Sequence, residues 1–283
     1  MATGISLHLG LNRVDPAHYA GWDGALNACE ADANAMEALA QSRGFTSTKL
    51  LTEHATASAI KDGITSAAGQ LEAGDIFFVT YSGHGGQVPD LNDEDEKDGS
   101  DETWLAYDRQ VIDDELLELW TKFKSGIRVL VLSDSCHSGS VNKAVTNGSV
   151  VPDPVATAEE ADKQEPRFRA MPRDKMIQTY AQHIALYDSL QREVPSSSKS
   201  AEKLAARVLL ISGCQDDQLS RDGFLNGAFT ARLLKVWDDG AWTGGYAPFH
   251  EAIRSGMPDD QQPNYNPIGP DDPAFEQQNP FTI

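Results

Sequence analysis

Short apolar runs alternate with amphipathic stretches along the chain, and this alternation predicts strands and helices in turn. Short runs rich in apolar residues predict strands at 5–11, 47–51, 76–81, 129–133 and 207–212. Apolar residues at helical spacing predict helices at 29–42, 55–71, 113–123, 175–193, 227–237 and 246–255. The alternation is typical of an α/β fold, and we expect a mostly parallel central sheet of about six strands flanked by helices on both faces.

Shorter segments and linkers complete the pattern. Segments 103–107 and 110–112 predict a small hairpin, and 261–267 predicts a terminal edge strand whose pairing is limited by its prolines. From 142 to 173 the chain is polar and lacks periodicity, which is typical of a long exposed loop. A second short linker, rich in serine, begins at Pro195.

Composition and cysteine content limit the class of protein. With 283 residues, 40% of them hydrophobic, the chain can build one large core or two small ones. No apolar run is long enough to span a membrane, and the N-terminus lacks the basic and apolar regions of a secretory signal. The three cysteines, Cys29, Cys136 and Cys214, do not suggest a disulfide framework. We therefore expect a reducing compartment and a cytoplasmic location.

The charge of the chain excludes some partners. The formal net charge is −20, from 43 acidic and 23 basic residues. A field of this sign repels phosphate, so nucleic acid and anionic membranes are not expected partners. It attracts cations and basic peptides, although acidity can also serve solubility alone.

Two candidate catalytic residues follow predicted strands. His84 follows the run at 76–81, and Cys136 follows the run at 129–133. Because parallel strands end at one edge of a sheet, where open α/β folds bind ligands, we expect the imidazole and the thiol to share one cleft. Either residue alone could be structural, as a buried thiol or a turn histidine. Together they are the minimum required for cysteine nucleophilic catalysis.

The sequence around these two residues resembles a known family. The letters YSGHG at 81–85 and DSCHSG at 134–139 resemble the two catalytic boxes of metacaspases and bacterial orthocaspases, which are caspase-fold cysteine peptidases. The separation of the His and Cys boxes agrees with the roughly 50 residues found in caspases. The resemblance extends from LNACEADA at 26–33 to ISGCQDDQ at 211–218 and covers most of the chain. It implies a caspase-like fold.

The resemblance also implies a division of the chain. In this family a large portion carries the catalytic residues, and a variable linker joins it to a small portion. We expect one caspase-like domain over 1–283, with a large portion at 1–145, a linker with one helix at 146–204 and a small portion at 205–283. The basic residues of the linker are candidates for self-cleavage, or else form a solvated charged loop. These residues are Arg167, Arg169, Arg173 and Lys175.

Carboxylates at three motif positions indicate the substrate. Asp134 lies two residues before Cys136 and can face the same cleft, since alternate residues of an extended segment share a face. By resemblance, metacaspases line the pocket for the residue before the scissile bond with acids at these positions. The expected pocket residues are Cys29, Asp32, Ser82, Asp134 and Asp216. Such a pocket favours Arg or Lys and excludes Asp, because a like charge in a desolvated site is costly.

The expected reaction is hydrolysis of a peptide bond through an acyl-enzyme. Cys136 attacks the carbonyl carbon, His84 acts as general acid and base, and water releases the acyl group. By resemblance to caspases, the backbone N–H groups of Cys136 and Gly85 stabilise the oxyanion. His137 would point away from the cleft, and we interpret it as structural. The expected partners are protein or peptide substrates with Arg or Lys before the scissile bond, and the expected enzyme is a monomer.

An acidic tract at 90–102 raises the question of calcium. The tract does not match the EF-hand pattern. The family resemblance implies a calcium site near the tract, with ligands at Asp113, Asp114 and an Asp seven residues after the nucleophile. That last position is Lys143 in this chain. We therefore expect no required cofactor and assign no metal ligand, and calcium binding, which Lys143 disfavours, stays open.

The sequence leaves two other classes of function open. The first is a caspase-fold scaffold without activity, which the presence of both His84 and Cys136 disfavours. The second is a hydrolase or transferase acting on another acyl compound. The G-x-S-x-G elbow of α/β-hydrolases is absent around Cys136, and the pocket acids favour a cationic side chain. A covalent arginyl probe tests the first class, and a panel of peptides and esters tests the second.

Overall fold

The computed structural model describes residues 2–91, 99–135, 167–194, 201–214, 220–223 and 225–283. The strands are β1 (Gly4–Gly10), β2 (Thr46–Leu51), β3 (Ile76–Ser82), β4 (Gly85–Pro89), β5 (Ser100–Leu105), β6 (Gln110–Ile112), β7 (Arg128–Asp134), β8 (Arg167–Phe168), β9 (Arg207–Ser212), β10 (Arg221–Asp222) and β11 (Asn264–Ile268). The helices are α1 (Cys29–Ser42), α2 (Ala57–Gln70), α3 (Asp113–Trp120), α4 (Arg173–Gln182), α5 (Ile184–Glu193), α6 (Ala228–Trp237), α7 (Tyr246–Arg254) and α8 (Pro273–Gln277). Among these residues, no helix is long and apolar enough to cross a membrane.

Six strands form the central sheet, in the order β11-β9-β7-β3-β1-β2. Neighbouring strands run parallel, except that β11 is antiparallel to β9 at one edge. This confirms the prediction of a mostly parallel sheet of six strands. The edge strand predicted at 261–267 is β11, shifted by a few residues.

The central sheet is buried because helices cover both of its faces. Every residue of β3 is buried, and alternate side chains enter two separate apolar clusters. Phe77 packs in one cluster with Ile64 of α2, and Phe78 packs in the other with Met36 of α1. Each fully buried side chain of this size contributes about 1.5–3 kcal/mol. The strand ends that carry the candidate residues therefore stand on a rigid support.

Two small sheets lie outside the central one. Strands β4, β5 and β6 form an antiparallel sheet, of which the predicted hairpin at 103–107 and 110–112 supplied only β5 and β6. Strands β8 and β10 form an antiparallel pair in which Phe168 lies opposite Arg221 and Arg167 lies opposite Asp222. The sequence did not predict β4, β8 or β10.

The described part of the linker, from 167 to 194, holds two helices, so the prediction of one continuous helix at 175–193 is wrong. The chain leaves helical geometry at His183, between α4 and α5. The His183 ring stacks on His18 at 4.0 Å between centroids, and its Nε2 hydrogen-bonds the His18 carbonyl. The bend lets Met176 of α4 and Tyr187 of α5 pack in different apolar clusters. Tertiary contacts at the bend override the local helical pattern.

Candidate active site

The parallel register of the central sheet brings the candidate residues to one edge. Ser82, the last residue of β3, lies opposite Asp134, the last residue of β7. His84 follows β3 by two residues, so it lies at the same edge, as the sequence predicted. Cys136 and His137 lie outside the described residues, which reach Ser135 on this side of the gap. The assignment of Cys136 as nucleophile stays a prediction.

His84 is buried and its protonation state follows from its contacts. Its Nε2 lies 2.9 Å from the carbonyl oxygen of Gly24, which can only accept a hydrogen bond, so Nε2 carries the proton. Burial lowers the pKa of His84 to about 4, and the Gly24 hydrogen bond opposes this only partly. The ring is therefore neutral near pH 7. Its Nδ1 has no hydrogen-bond partner among the described residues and is available as a base.

The predicted pocket residues surround one buried guanidinium. Nη2 of Arg169 lies 2.7 Å from a carboxylate oxygen of Asp32, and Nη1 lies 2.9 Å from a carboxylate oxygen of Asp134. Nη1 also donates to the Ser82 hydroxyl at 2.8 Å. The side chain of Arg169 has no solvent exposure. The structure therefore brings Asp32, Asp134 and Ser82 together, at the ends of α1, β7 and β3.

A further carboxylate, that of Asp222, completes the pocket. Its Oδ1 lies 3.1 Å from Nη2 of Arg169. Its two oxygens also accept the backbone N–H groups of Asn27 and Ala28, at the start of α1. Asp222 was not predictable from the sequence as a pocket residue, because an Asp in a short polar segment has many ordinary roles.

The other two pocket acids are also held from several sides. Oδ1 of Asp32 accepts the amide of Asn226 at 2.9 Å and the backbone N–H of Gly227 at 3.0 Å. Any side chain at Gly227 would collide with the guanidinium of Arg169, so the glycine sets the width of the pocket. The carboxylate of Asp134 accepts the hydroxyls of Ser220 and Thr230. These contacts hold the carboxylate oxygens in place around the guanidinium.

The pocket strongly favours a positive charge. Burial raises the pKa of Asp32 to about 6, and the nearby Asp134 adds to this, while Arg169 opposes it. The surrounding carboxylates hold the pKa of Arg169 above its usual range despite its burial. Three carboxylates around one guanidinium leave excess negative charge, so an acidic side chain in this pocket would be repelled.

Two of the three cysteines, Cys29 and Cys214, lie among the described residues. Cys29 is buried beside Ser82, and burial raises the pKa of its thiol, so the thiol stays protonated. This argues against Cys29 as a nucleophile, and its assignment to the pocket stays a prediction. Cys214 is also buried, and its Sγ contacts the carbonyl oxygen of Ser135 at 3.3 Å. Asp216 lies outside the described residues, and its assignment to the pocket stays a prediction.

The backbone around Arg169 is held as an extended segment. Its N–H donates to the Ser220 carbonyl at 3.0 Å, and its carbonyl accepts the N–H of Gly85 at 2.9 Å. The Gly85 carbonyl in turn accepts the N–H of Met171 at 2.8 Å. Residues 167–168 continue the segment as β8, paired with β10. Arg169 was expected as a basic residue of the linker, and the sequence did not predict that it fills the acidic pocket.

Of the positions expected to bind calcium in this family, Asp113 and Asp114 lie among the described residues. Burial and the neighbouring Asp101 raise the pKa of Asp113 well above its usual range. The described residues contain no group of three or more His, Cys, Asp or Glu side chains arranged to hold a metal ion. Lys143 and residues 92–98 lie outside the described ranges, so the expectation about calcium stays a prediction.

Comparison with solved structures identifies the fold. A crystal structure of a Geobacter sulfurreducens protein superposes with a TM-score of 0.86, with 49% identity and 99% of both chains covered. Caspase-1 from Spodoptera frugiperda superposes with a TM-score of 0.53 and 11% identity, over 95% of this chain and 87% of that one. The chain therefore has the caspase fold, as the resemblance implied.

Sequence comparison identifies the family. The caspase domain model matches residues 14–278. The chain therefore belongs to the caspase domain family of cysteine peptidases, and its relatives include fungal metacaspases. Metacaspase-1A from Aspergillus oryzae is 31% identical over 169 residues, which are 56% of this chain and 40% of that protein. Metacaspase-1 from Schizosaccharomyces pombe is 35% identical over 176 residues, with the same coverage. The match thus spans about two fifths of the length of these relatives.

Proposed function

We propose that the protein is a cysteine endopeptidase that hydrolyses peptide bonds after Arg or Lys and cleaves its own linker. The observation that carries the proposal is the position of Arg169. Its side chain fills a pocket of carboxylates from Asp32, Asp134 and Asp222, while its carbonyl oxygen accepts the N–H of Gly85. This is the arrangement expected of a residue immediately before a scissile bond.

The proposed specificity rests on the charge and depth of this pocket. A buried carboxylate is stable only when paired, and a guanidinium can pair with several carboxylates at once through its planar set of donors. Lys carries the same charge on a chain of similar length, so we propose that it is accepted too. An Asp side chain would add another negative charge to a desolvated acidic site, and we propose that it is rejected.

In the proposed mechanism, the Cys136 thiolate attacks the carbonyl carbon of the residue in the pocket. The Gly85 N–H, with that of Cys136, stabilises the negative charge that develops on the carbonyl oxygen. Nδ1 of His84 takes the thiol proton and then gives a proton to the leaving amine. Water finally hydrolyses the thioester and frees the enzyme. Cys136 and His84 form the proposed catalytic dyad.

Self-cleavage is proposed at the bond between Arg169 and Ala170. Ala170 follows the pocket residue, and its backbone contributes to the pKa of His84, so it lies close to the proposed base. While Arg169 fills the pocket, another Arg or Lys side chain cannot enter. We therefore propose that the intact linker both is a substrate and restrains activity toward other proteins.

Intact mass measurement of the purified protein over time tests this proposal. Wild-type chain should yield two fragments that divide after Arg169, and Arg169→Lys should still be cut. Arg169→Gln should stay intact, because the carboxamide lacks the charge that the pocket requires. Arg173→Gln is the matched control at an exposed position of the same linker and should be cut like wild type. Fragments that begin after an acidic residue would contradict the proposed specificity.

We propose further that the enzyme works as a monomer in the cytoplasm and does not require calcium. The buried thiols of Cys29 and Cys214 support a reducing compartment. The calcium proposal rests on Lys143, which occupies the sequence position of an expected acidic ligand. Size-exclusion chromatography tests whether the enzyme is a monomer, and activity with and without a chelator tests whether it requires calcium.

A further inference from the structure

The segment after Arg169 enters a second pocket, on the other side of the proposed scissile bond. Met171 is fully buried. It packs in an apolar cluster with Val14, Tyr19 and Leu105, with Trp22 partly buried at its side. None of these side chains carries a charge, so the surroundings of Met171 are the opposite of the acidic pocket that holds Arg169.

The backbone fixes which residue enters which pocket. Gly85 donates its N–H to the Arg169 carbonyl and accepts the Met171 N–H, at 2.9 and 2.8 Å. Gly85 thus holds the backbone on both sides of the bond between Arg169 and Ala170, and it forms a parallel β-bridge with Ala170. Because these contacts use backbone atoms alone, any peptide with Arg in the acidic pocket would bring its second following residue to the apolar cluster.

The apolar pocket also adjoins the proposed base. The Trp22 ring lies 4.7 Å from the His84 ring and 6.5 Å from the Tyr19 ring, measured between centroids. The Tyr19 hydroxyl donates to the Ala106 carbonyl at 2.7 Å, which fixes the ring at the side of the pocket. A side chain that fills this pocket therefore packs beside Trp22, whose ring contacts His84.

We infer that the cluster of Val14, Tyr19, Trp22 and Leu105 is a substrate subsite for an apolar side chain, two residues after the scissile bond. The inference rests on the proposed function, since it assigns a second specificity to the same cleft. Substrates are then defined by Arg or Lys before the bond and by an unbranched or long apolar residue, such as Met or Leu, at the second position after it. A charged residue there would lose its hydration without gaining a partner.

Two quenched fluorescent peptides that differ at one position test the inference on the self-processed wild-type enzyme. Both contain Phe-Arg-Ala, followed by Met in one and Asp in the other. Burial of a Met side chain corresponds to a preference on the order of tenfold or more in kcat/KM. Equal kcat/KM values for the two peptides would overturn the inference.

Self-cleavage provides a second test within the full chain. Met171→Leu should be cut after Arg169 like wild type, whereas Met171→Asp should be cut on the order of tenfold more slowly. Ile177→Asp is the matched control, since Ile177 is an exposed apolar residue of α4. It should be cut at the wild-type rate. A Met171→Asp chain that is cut as fast as wild type would contradict the assignment.

An arginyl aminomethylcoumarin separates failure of this inference from failure of the proposed function. This substrate has no second residue after the scissile bond, so it reports the acidic pocket and the dyad alone. If the wild-type enzyme does not cleave it, the proposed function is wrong. If the enzyme cleaves it and shows no preference between the two peptides, only the apolar subsite is wrong. A lowered thermal unfolding midpoint of Met171→Asp identifies a folding defect, and the peptide pair then decides.

Discussion

Replacement of Asp222 by Asn measures the contribution of the pocket acid that the sequence did not reveal. The change removes one charge and keeps an oxygen that can accept a backbone N–H of Asn27 or Ala28. At 3.1 Å from the guanidinium, a unit charge contributes about 5 kcal/mol at an effective dielectric constant of 20. The dehydration of the carboxylate and the hydrogen bond that Asn retains offset more than half of this, which leaves ~2 kcal/mol. We expect kcat/KM for arginyl substrates to fall about 30-fold.

The assay compares arginyl aminomethylcoumarin hydrolysis by the self-processed wild type, Asp222→Asn and Asp239→Asn. Asp239 is an exposed acid just beyond the far end of α6, so its variant has the same charge change away from the pocket. The loss should appear mainly in KM, because the pocket binds the side chain and does not take part in bond cleavage. Thermal unfolding of each variant checks the fold. A loss below threefold, or an equal loss in Asp239→Asn, would refute the role of Asp222.

The remaining predictions concern the dyad, pH and calcium. Cys136→Ala should abolish turnover and self-cleavage, and His84→Ala should lower turnover by orders of magnitude. Both variants should keep the far-ultraviolet circular dichroism spectrum of the wild type. Hydrolysis that survives Cys136→Ala would show that the nucleophile is misassigned. The Asp32 pKa of about 6 applies with the Arg169 guanidinium in the pocket, where the guanidinium lowers it, so Asp32 of the empty pocket should take its proton at a higher pH. Because that proton removes charge from the pocket, kcat/KM for an arginyl substrate should fall as the pH drops toward about 6, whereas kcat should persist toward pH 4, where His84 takes a proton. A kcat/KM value that stays constant as the pH drops from about 8 to about 6 would contradict this order. The wild-type enzyme should be active without added calcium and in the presence of EGTA. Lys143→Ala should impair the activity. Strong activation of the wild-type enzyme by calcium would contradict the prediction.

The inner strands of the central sheet were predictable because they are buried on both faces. Strand β3 is covered by helices above and below and begins with four apolar residues at 76–79, so the run stands out in the sequence. The short strands β8 and β10 have two residues each, which is too few to show any periodicity. They exist because distant segments meet, as Arg167 and Asp222 do. Such pairing is decided by tertiary contacts that local pattern does not contain.

The residues of the candidate site also fall into a group that the sequence predicted and a group that it did not. Asp32, Ser82 and Asp134 were predictable because each lies in a family motif at an end of a regular element. Arg169 could be selected only as a basic residue of the linker. Its burial depends on a chain path through a polar segment without periodicity, which the sequence does not specify. Asp222 was missed for the same reason, since its partners belong to other elements.

The adjacency of β7 and β9 determines what a cut in the linker would do to the molecule. These strands belong to the two sides of the linker, yet they are parallel neighbours paired from Arg128 with Arg207 to Ser133 with Ser212. Hydrolysis after Arg169 would leave every one of these backbone pairs in place. The two fragments would separate on a denaturing gel and migrate together in solution. Processing would thus convert one polypeptide into a heterodimer whose subunits share a single sheet.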